Sequence, residues 1–134
     1  ELRAMGAHHT VNSRDEAQLK QIAGSLDFIL STVAVDLNWQ VFLNALAPKG
    51  RFHTVGVIPS PIPAPAFPLI GGQKSISGSP LGSPATIRKM LDFCARHHIA
   101  PITEHFPMSQ VNEAMAHLES GKARYRVVLE NDFS

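Results

Sequence analysis

"DFILSTVAVDLNWQVFLNALAPKGRFHTVGV", residues 27–57, holds the pattern that decides the fold. Its two ends, DFILSTV (27–33) and RFHTVGV (51–57), are short, apolar and nearly unbroken, the pattern of strands buried on both faces. The middle, DLNWQVFLNALAPKG (36–50), reads as a helix that turns Phe42, Leu43 and Leu46 inward. It ends before Pro48 and a turn at Lys49 and Gly50. Strand, helix and strand at this spacing predict a parallel βαβ unit.

The same alternation continues on both sides. Upstream, ELRAMGA (1–7) reads as the last turn of a helix, with Gly6 in the left-handed closing position. HTVNS (9–13) is a short strand candidate, and Ser13-x-x-Glu16 has the spacing of a capping box for a helix over residues 14–24. That helix places Leu19, Ile22 and Ala23 on one side and closes at Gly24. Downstream, Pro59, Pro61, Pro63, Pro65 and Pro68 make residues 59–68 too stiff for a helix and too poor in donors for a central strand. An extended surface connection is expected there.

KSISGS (74–79) resumes as a strand, and residues 84–98 form the clearest helix of the chain. Ile87, Met90, Leu91 and Cys94 share one face of it, with Arg88, Lys89, Asp92 and Arg96 outside. Ser83 is the expected N-cap and Pro84 the first helical residue, where a missing N–H costs nothing. Strands around ITEHF (102–106) and RYRVVL (124–129) bracket a last helix, with Ser109 as N-cap and Gly121 as its stop. The whole reads as an α/β fold: a parallel sheet with helices on both faces.

With 134 residues the chain is long enough to bury a core. A formal net charge of +1 gives no bulk attraction to nucleic acid or an acidic membrane. No apolar run approaches the roughly 18–20 residues that span a bilayer. Cys94 is the single cysteine, so no internal disulfide forms and a cytoplasmic location is the default expectation. The first residue is Glu1, and no targeting segment follows it. A helix end without a helix beginning suggests a piece of a longer protein.

Several chemistries fail on spacing. A nucleophile elbow needs Gly-x-Ser-x-Gly, but between Gly78 and Gly82 the central residue is Pro80. Neither a P-loop nor a Gly-x-Gly-x-x-Gly turn is present. The pairs His8/His9 and His97/His98 point apart on any regular element. Cys94 and His97, three residues apart on a helix, are two ligands where a metal site usually needs three or four. Lys122, Arg124 and Arg126 alternate, as on a solvated strand edge, or with Arg126 reaching a phosphate.

What remains are the strand ends, where open parallel sheets bind ligands. They carry Ser31, Thr32 and Val33; Val55, Gly56 and Val57; and Ser79, Pro80 and Leu81. Small residues there let a flat ring approach the backbone, although Gly56 also fits an ordinary strand-end glycine.

ELRAMGAHHTVNS, DFILSTVAV, LAPKGRFHTVGV, SISGSPLGSPATIRKMLDFCARHHI, SQVNEAMAHLESG and ARYRVVLEN occur here in the order seen in zinc-dependent medium-chain alcohol dehydrogenases. The chain most resembles their cinnamyl-alcohol-dehydrogenase-like branch, which includes NADPH-dependent aldehyde reductases, and covers only the C-terminal portion of such an enzyme. The resemblance implies part of a Rossmann-type sheet over residues 1–98. Residues 99–134 would be a strand-helix-strand segment returning toward a catalytic domain that lies outside this chain.

It implies an oxidoreductase that passes hydride between NADP (or NAD) and a small alcohol or aldehyde, with zinc as Lewis acid held by ligands outside this chain. Catalytic and metal-ligating residues are therefore expected elsewhere, and the fragment alone is expected to be inactive. Among the cofactor-binding residues it implies, Thr32 lies near the cofactor ribose and Val55, Gly56 and Val57 at the nicotinamide end. The main chain of Ser79, Pro80 and Leu81 meets the carboxamide, and Arg126 approaches the phosphates. Pro80 departs from the family pattern by removing an N–H. The strand at residues 74–79 resembles the edge through which two subunits join, which implies a homodimer. The alternative reading is a non-catalytic nucleotide-binding or interaction module.

Overall fold

The computed structural model describes residues 1–133, which form two units, Glu1–Leu81 and the chain from Gly82 on. The first unit opens with a 3-10 turn, Leu2–Met5, closed by Gly6 at φ 101°. There follow α1 (Glu16–Gln21), β1 (Leu26–Ser31), α2 (Trp39–Ala45), β2 (Leu46–Thr54), α3 (Ala66–Gly72) and β3 (Ser75–Gly78). The three strands form a parallel sheet in the order β1-β2-β3, with Ser31, Thr54 and Gly78 aligned across it.

Because the strands are added in one direction, right-handed crossovers carry both connecting helices to the same face. That face bears Ile29, Phe52 and Ile76, which pack with Trp39, Leu43, Leu46 and Leu69 into the core of the unit. Trp39 meets Phe52 edge-on, with ring centroids 5.5 Å apart. The last turn of α2 is tied down by its neighbours: Gly24 N–H and Ser25 N–H donate to the carbonyls of Asn44 and Ala45. Lys74 Nζ donates to the carbonyl of Leu43 at 2.7 Å, a cation at the negative end of the helix.

Four expectations for this unit are corrected. Residues 9–13 are not a strand: they are exposed, and no strand lies beside them among the described residues. Asn12 instead bonds locally, its N–H to Gln18 Oε1 and its Oδ1 accepting from Arg14 N–H. Ser13 does not cap α1. Asp15 does, accepting from Ala17 N–H and Gln18 N–H, and the Gln18 bond chiefly holds its carboxyl below the usual aspartate range. The negative carboxylate suits the helix N-terminus better than a hydroxyl.

Residues 66–68 are helical rather than extended, because Pro68 is the third residue of α3, where no intrahelical N–H bond is made. Finally, β1 is buried on one face only. Phe28 and Leu30 are each 53% exposed, since both crossover helices pack on the opposite face.

In the second unit, α4 (Pro84–Arg96) starts as expected: Ser83 Oγ accepts from Thr86 N–H at 3.2 Å and Pro84 is the first helical residue. The stripe Ile87, Met90 and Leu91 is present but exposed. β4 (Thr103–Pro107), α5 (Val111–Glu119) and β5 (Arg126–Glu130) make a second parallel βαβ unit.

Ser109 is not the cap of α5, because it lies in a 3-10 turn, Met108–Gln110, where its N–H and hydroxyl both donate to Asp132. Lys122 and Arg124 do not share a strand face with Arg126, since β5 begins only at Arg126. The Arg124 guanidinium instead donates to the carbonyls of Gly121, Lys122 and Ala123 in the turn after α5. Glu104 of β4 bonds His117 Nε2 at 2.6 Å and accepts from the Arg124 backbone N–H. That backbone bond first, and His117 after it, hold the Glu104 carboxyl below the ordinary glutamate value. Among the described residues no helix is long and apolar enough to cross a membrane.

Candidate functional site

Parallel strands end on the same side of their sheet, and here Ser31, Thr54 and Gly78 end together. The chain beyond them is fixed by backbone bonds. Val55 N–H donates to the Ser31 carbonyl at 2.9 Å, and Gly56 N–H points at the same oxygen at 3.4 Å. Thr54 Oγ1 donates to the Gly56 carbonyl, and Ser79 N–H donates to the Thr54 carbonyl at 3.4 Å. The loop after β2 therefore rests on the end of β1, and the loop after β3 on the end of β2.

The loop after β2 is possible only with a glycine at its centre. A Cβ on Gly56 would stand 2.1 Å from the Val33 carbonyl oxygen and 3.0 Å from the Thr32 carbonyl carbon. No real contact is that short, so Gly56 is required by close backbone approach. The missing Cβ faces Val33 and Thr32, so this glycine seats the loop against the end of β1.

Between the two loops lies an open cleft of about 570 Å³. Val55, Gly56 and Val57 form one wall and Ser79, Pro80 and Leu81 the other, with Thr54 and Gly78 at the base. Six of the eight residues expected at a cofactor thus come together. The lining carries no ionisable side chain and is mostly apolar, with Val57 and Leu81 almost fully exposed. Such walls suit a flat, weakly polar ring rather than a phosphate.

Thr32 lines a different space, a pocket of about 210 Å³ that it shares with Ser31, Val33 and Phe42. Ser31 Oγ is buried in that region with no hydrogen-bond partner among the described residues. Arg126 opens β5 of the second unit, exposed and paired in register with Thr103.

One residue escaped the sequence reading. His53 of β2 lies on the sheet face away from the core, with Nδ1 2.9 Å from Ser77 Oγ and Nε2 2.9 Å from Ser79 Oγ. Its ring stacks on Phe28, with centroids 6.1 Å apart. The signal was available: a histidine next to inward-facing Phe52, and serines at every second position of the neighbouring strand (Ser75, Ser77, Ser79). The nearly unbroken apolar pattern of residues 51–57, which implies burial on both faces, masks it.

The size of this cleft and its mostly apolar walls suit a nicotinamide-like ring. Zinc has no comparable place: among the described residues no three His, Cys, Asp or Glu side chains converge. Cys94 Sγ lies 3.6 Å from Met90 Sδ, and the His97 ring packs against Phe93.

The relatives of this chain are dehydrogenases and reductases. Aldehyde reductase AdhA of Synechocystis is 50% identical over 131 residues, covering 98% of this chain and 39% of that protein. A cinnamyl alcohol dehydrogenase structure from Sorghum bicolor superposes with a TM-score of 0.88 at 36% identity, covering 96% of this chain and 36% of that one. A cinnamyl alcohol dehydrogenase from Helicobacter pylori, solved with NADP(H), gives a TM-score of 0.71 at 28% identity, covering 87% of this chain and 34% of that one. The chain spans well under half the length of the curated relatives it matches. The profile described as "Zinc-binding dehydrogenase" matches residues 1–96, which is most of the chain. With its parallel sheet, its glycine-seated loop and its cleft at the strand ends, the chain belongs to the zinc-binding dehydrogenase family.

Proposed function

We propose that this chain builds the nicotinamide end of the cofactor site in an NADP-dependent alcohol dehydrogenase or aldehyde reductase. The observation that carries the reading is the cleft itself, with Val55, Gly56 and Val57 facing Ser79, Pro80 and Leu81 beyond aligned strand ends. When bound, the nicotinamide supplies the hydride donor or acceptor for a small alcohol or aldehyde. The chain's own part is to hold and orient the ring. Gly56 seats the loop that forms one wall, the valines and Leu81 shield the ring from water, and the Ser79 hydroxyl offers a polar contact.

NADP is preferred to NAD on the strength of the Helicobacter relative. In this reading residues 1–98 belong to the nucleotide-binding domain and residues 99–134 pack with the catalytic domain. Thr32 serves the ribose side and Arg126 the phosphates. A cytoplasmic location accords with the lone Cys94.

The test is a fluorescence titration of the full-length gene product with NADPH and NADH. A carboxylate introduced as Val57→Asp is expected to weaken NADPH binding about tenfold or more, through desolvation of a charge against the ring. Unchanged affinity would remove the cofactor from this cleft.

The reading extends to a homodimer. Among the described residues β3 pairs only with β2, which leaves its outer edge available for a second copy. Sedimentation and amide exchange at residues 75–78 test this: a dimer with protected edge amides is expected, and a monomer would overturn it.

A further inference from the structure

Ser79 stands where the cleft wall is poorest in donors. Its own N–H is taken by the Thr54 carbonyl, and Pro80 has none. The Ser79 hydroxyl is therefore the donor that this stretch of wall can present ahead of Leu81. Its direction is governed from behind, by the His53 Nε2 at 2.9 Å.

The imidazole is itself held on three counts. Nδ1 meets Ser77 Oγ within β3, Nε2 meets Ser79 Oγ just beyond it, and the ring stacks on Phe28 of β1. Of the two hydrogen bonds, only the first joins residues paired in register across β2 and β3. The Nε2 bond reaches past the last residue of the strand, Gly78, to a residue of the cleft wall.

A neutral imidazole carries one N–H. With the proton on Nε2, Ser79 Oγ accepts from the ring, its own O–H is free to point into the cleft, and Ser77 donates to Nδ1. With the proton on Nδ1, Ser77 accepts, Ser79 donates to Nε2, and only Ser79 lone pairs face the cleft. The tautomer thus decides whether the wall shows the ligand a donor or an acceptor. Ser77, which does not line the cleft, takes part in that choice.

We propose that His53 is a positioning residue for the cofactor: by holding Ser77 and Ser79 on its two ring nitrogens, it fixes the direction of the Ser79 hydroxyl against a carboxamide-bearing ring in the cleft. The ligand half of this statement rests on the cofactor reading above. The clamp rests on the geometry alone.

The experiment uses the full-length gene product with His53→Phe, Ser77→Ala, Ser79→Ala and the double variant His53→Phe/Ser79→Ala. His53→Phe keeps the aromatic stack on Phe28 and removes both nitrogens. Dissociation constants for NADPH are measured alongside thermal midpoints and the ring-nitrogen NMR shifts of 15N-labelled histidine.

Expected are affinity losses of about threefold to tenfold for His53→Phe and for Ser79→Ala, the range of one net hydrogen bond. The double variant is expected to be no weaker than either single one, because both remove the same contact. Ser77→Ala should change the His53 tautomer signature and weaken binding in the same direction. A merely structural histidine would lower the thermal midpoint and leave affinity untouched.

The proposal is overturned if His53→Phe binds NADPH like the parent while Ser79→Ala does not, or if the two losses multiply. Should His53→Phe fail to fold, Ser77→Ala decides: an unchanged His53 signature sinks the clamp. If the parent protein binds no dinucleotide, the ligand half falls with the cofactor reading. The Nε2 shift in Ser79→Ala then still tells whether the clamp exists.

Discussion

Gly56 shows how one missing methyl group can set a site. Gly56→Ala would drive a Cβ into the Val33 carbonyl, a backbone atom that cannot rotate away. The loop after β2 must lift from the end of β1, stretching the bonds from Val55 and Gly56 to the Ser31 carbonyl. Gly56→Ala is expected to lower stability by about 1–3 kcal/mol, the usual penalty of overpacking, and to weaken NADPH binding more than stability alone explains. Denaturant unfolding with a cofactor titration checks both.

Glu104 makes a second prediction at this scale. Its carboxyl is held below the ordinary glutamate value by the Arg124 backbone N–H and by His117, so folding favours the ionised form. The stabilisation is fully present above the unfolded-state value of about 4.3 and is lost as pH falls through the depressed folded value. Thermal midpoints of parent and Glu104→Gln should therefore differ at neutral pH and converge as acid protonates Glu104. A constant gap would refute it. Neither effect is readable from sequence: two readings stay open there for Gly56, and Glu104 meets Arg124 only through tertiary folding.

At the scale of elements, the parts with complete local chemistry were the legible ones. α4 carries its own cap at Ser83, its own Pro84 and an apolar stripe, and it forms as read. Elements that depend on neighbours were not. Residues 9–13 have strand-like letters but no strand beside them among the described residues, and α3 is hidden by a proline whose tolerance depends on its place in the first turn. The end of α2 is another such dependence, because Lys74, from the far side of α3, satisfies the Leu43 carbonyl. Lys74→Met keeps the apolar stem and removes the donor. It should leave that carbonyl unpaired and cost about 1–3 kcal/mol, seen as a lower urea midpoint at unchanged slope. A midpoint equal to the parent's would mean that water replaces the lysine at no cost.

At the scale of the whole molecule, the strand-end cleft was legible because it follows from topology: parallel strands must end together, and small residues at three consecutive ends mark the place. His53 was not, because a histidine's role depends on which face its strand leaves open. Under the proposed function, the same topology divides the labour of hydride transfer. Hydride transfer needs a held nicotinamide and a group that polarises the substrate oxygen. The cleft between the loops after β2 and β3 answers to the first need, while no three metal-ligating side chains converge for the second among the described residues. The chain also spans well under half the length of the curated relatives it matches. The 134-residue chain by itself is expected to oxidise no NADPH in the presence of an aldehyde, and under the proposed function the full-length gene product is expected to do so. The measurement is NADPH absorbance over time with each protein, the length of the short one verified by intact mass. Turnover by verified 134-residue material would place the polarising group within this chain and overturn the division of labour.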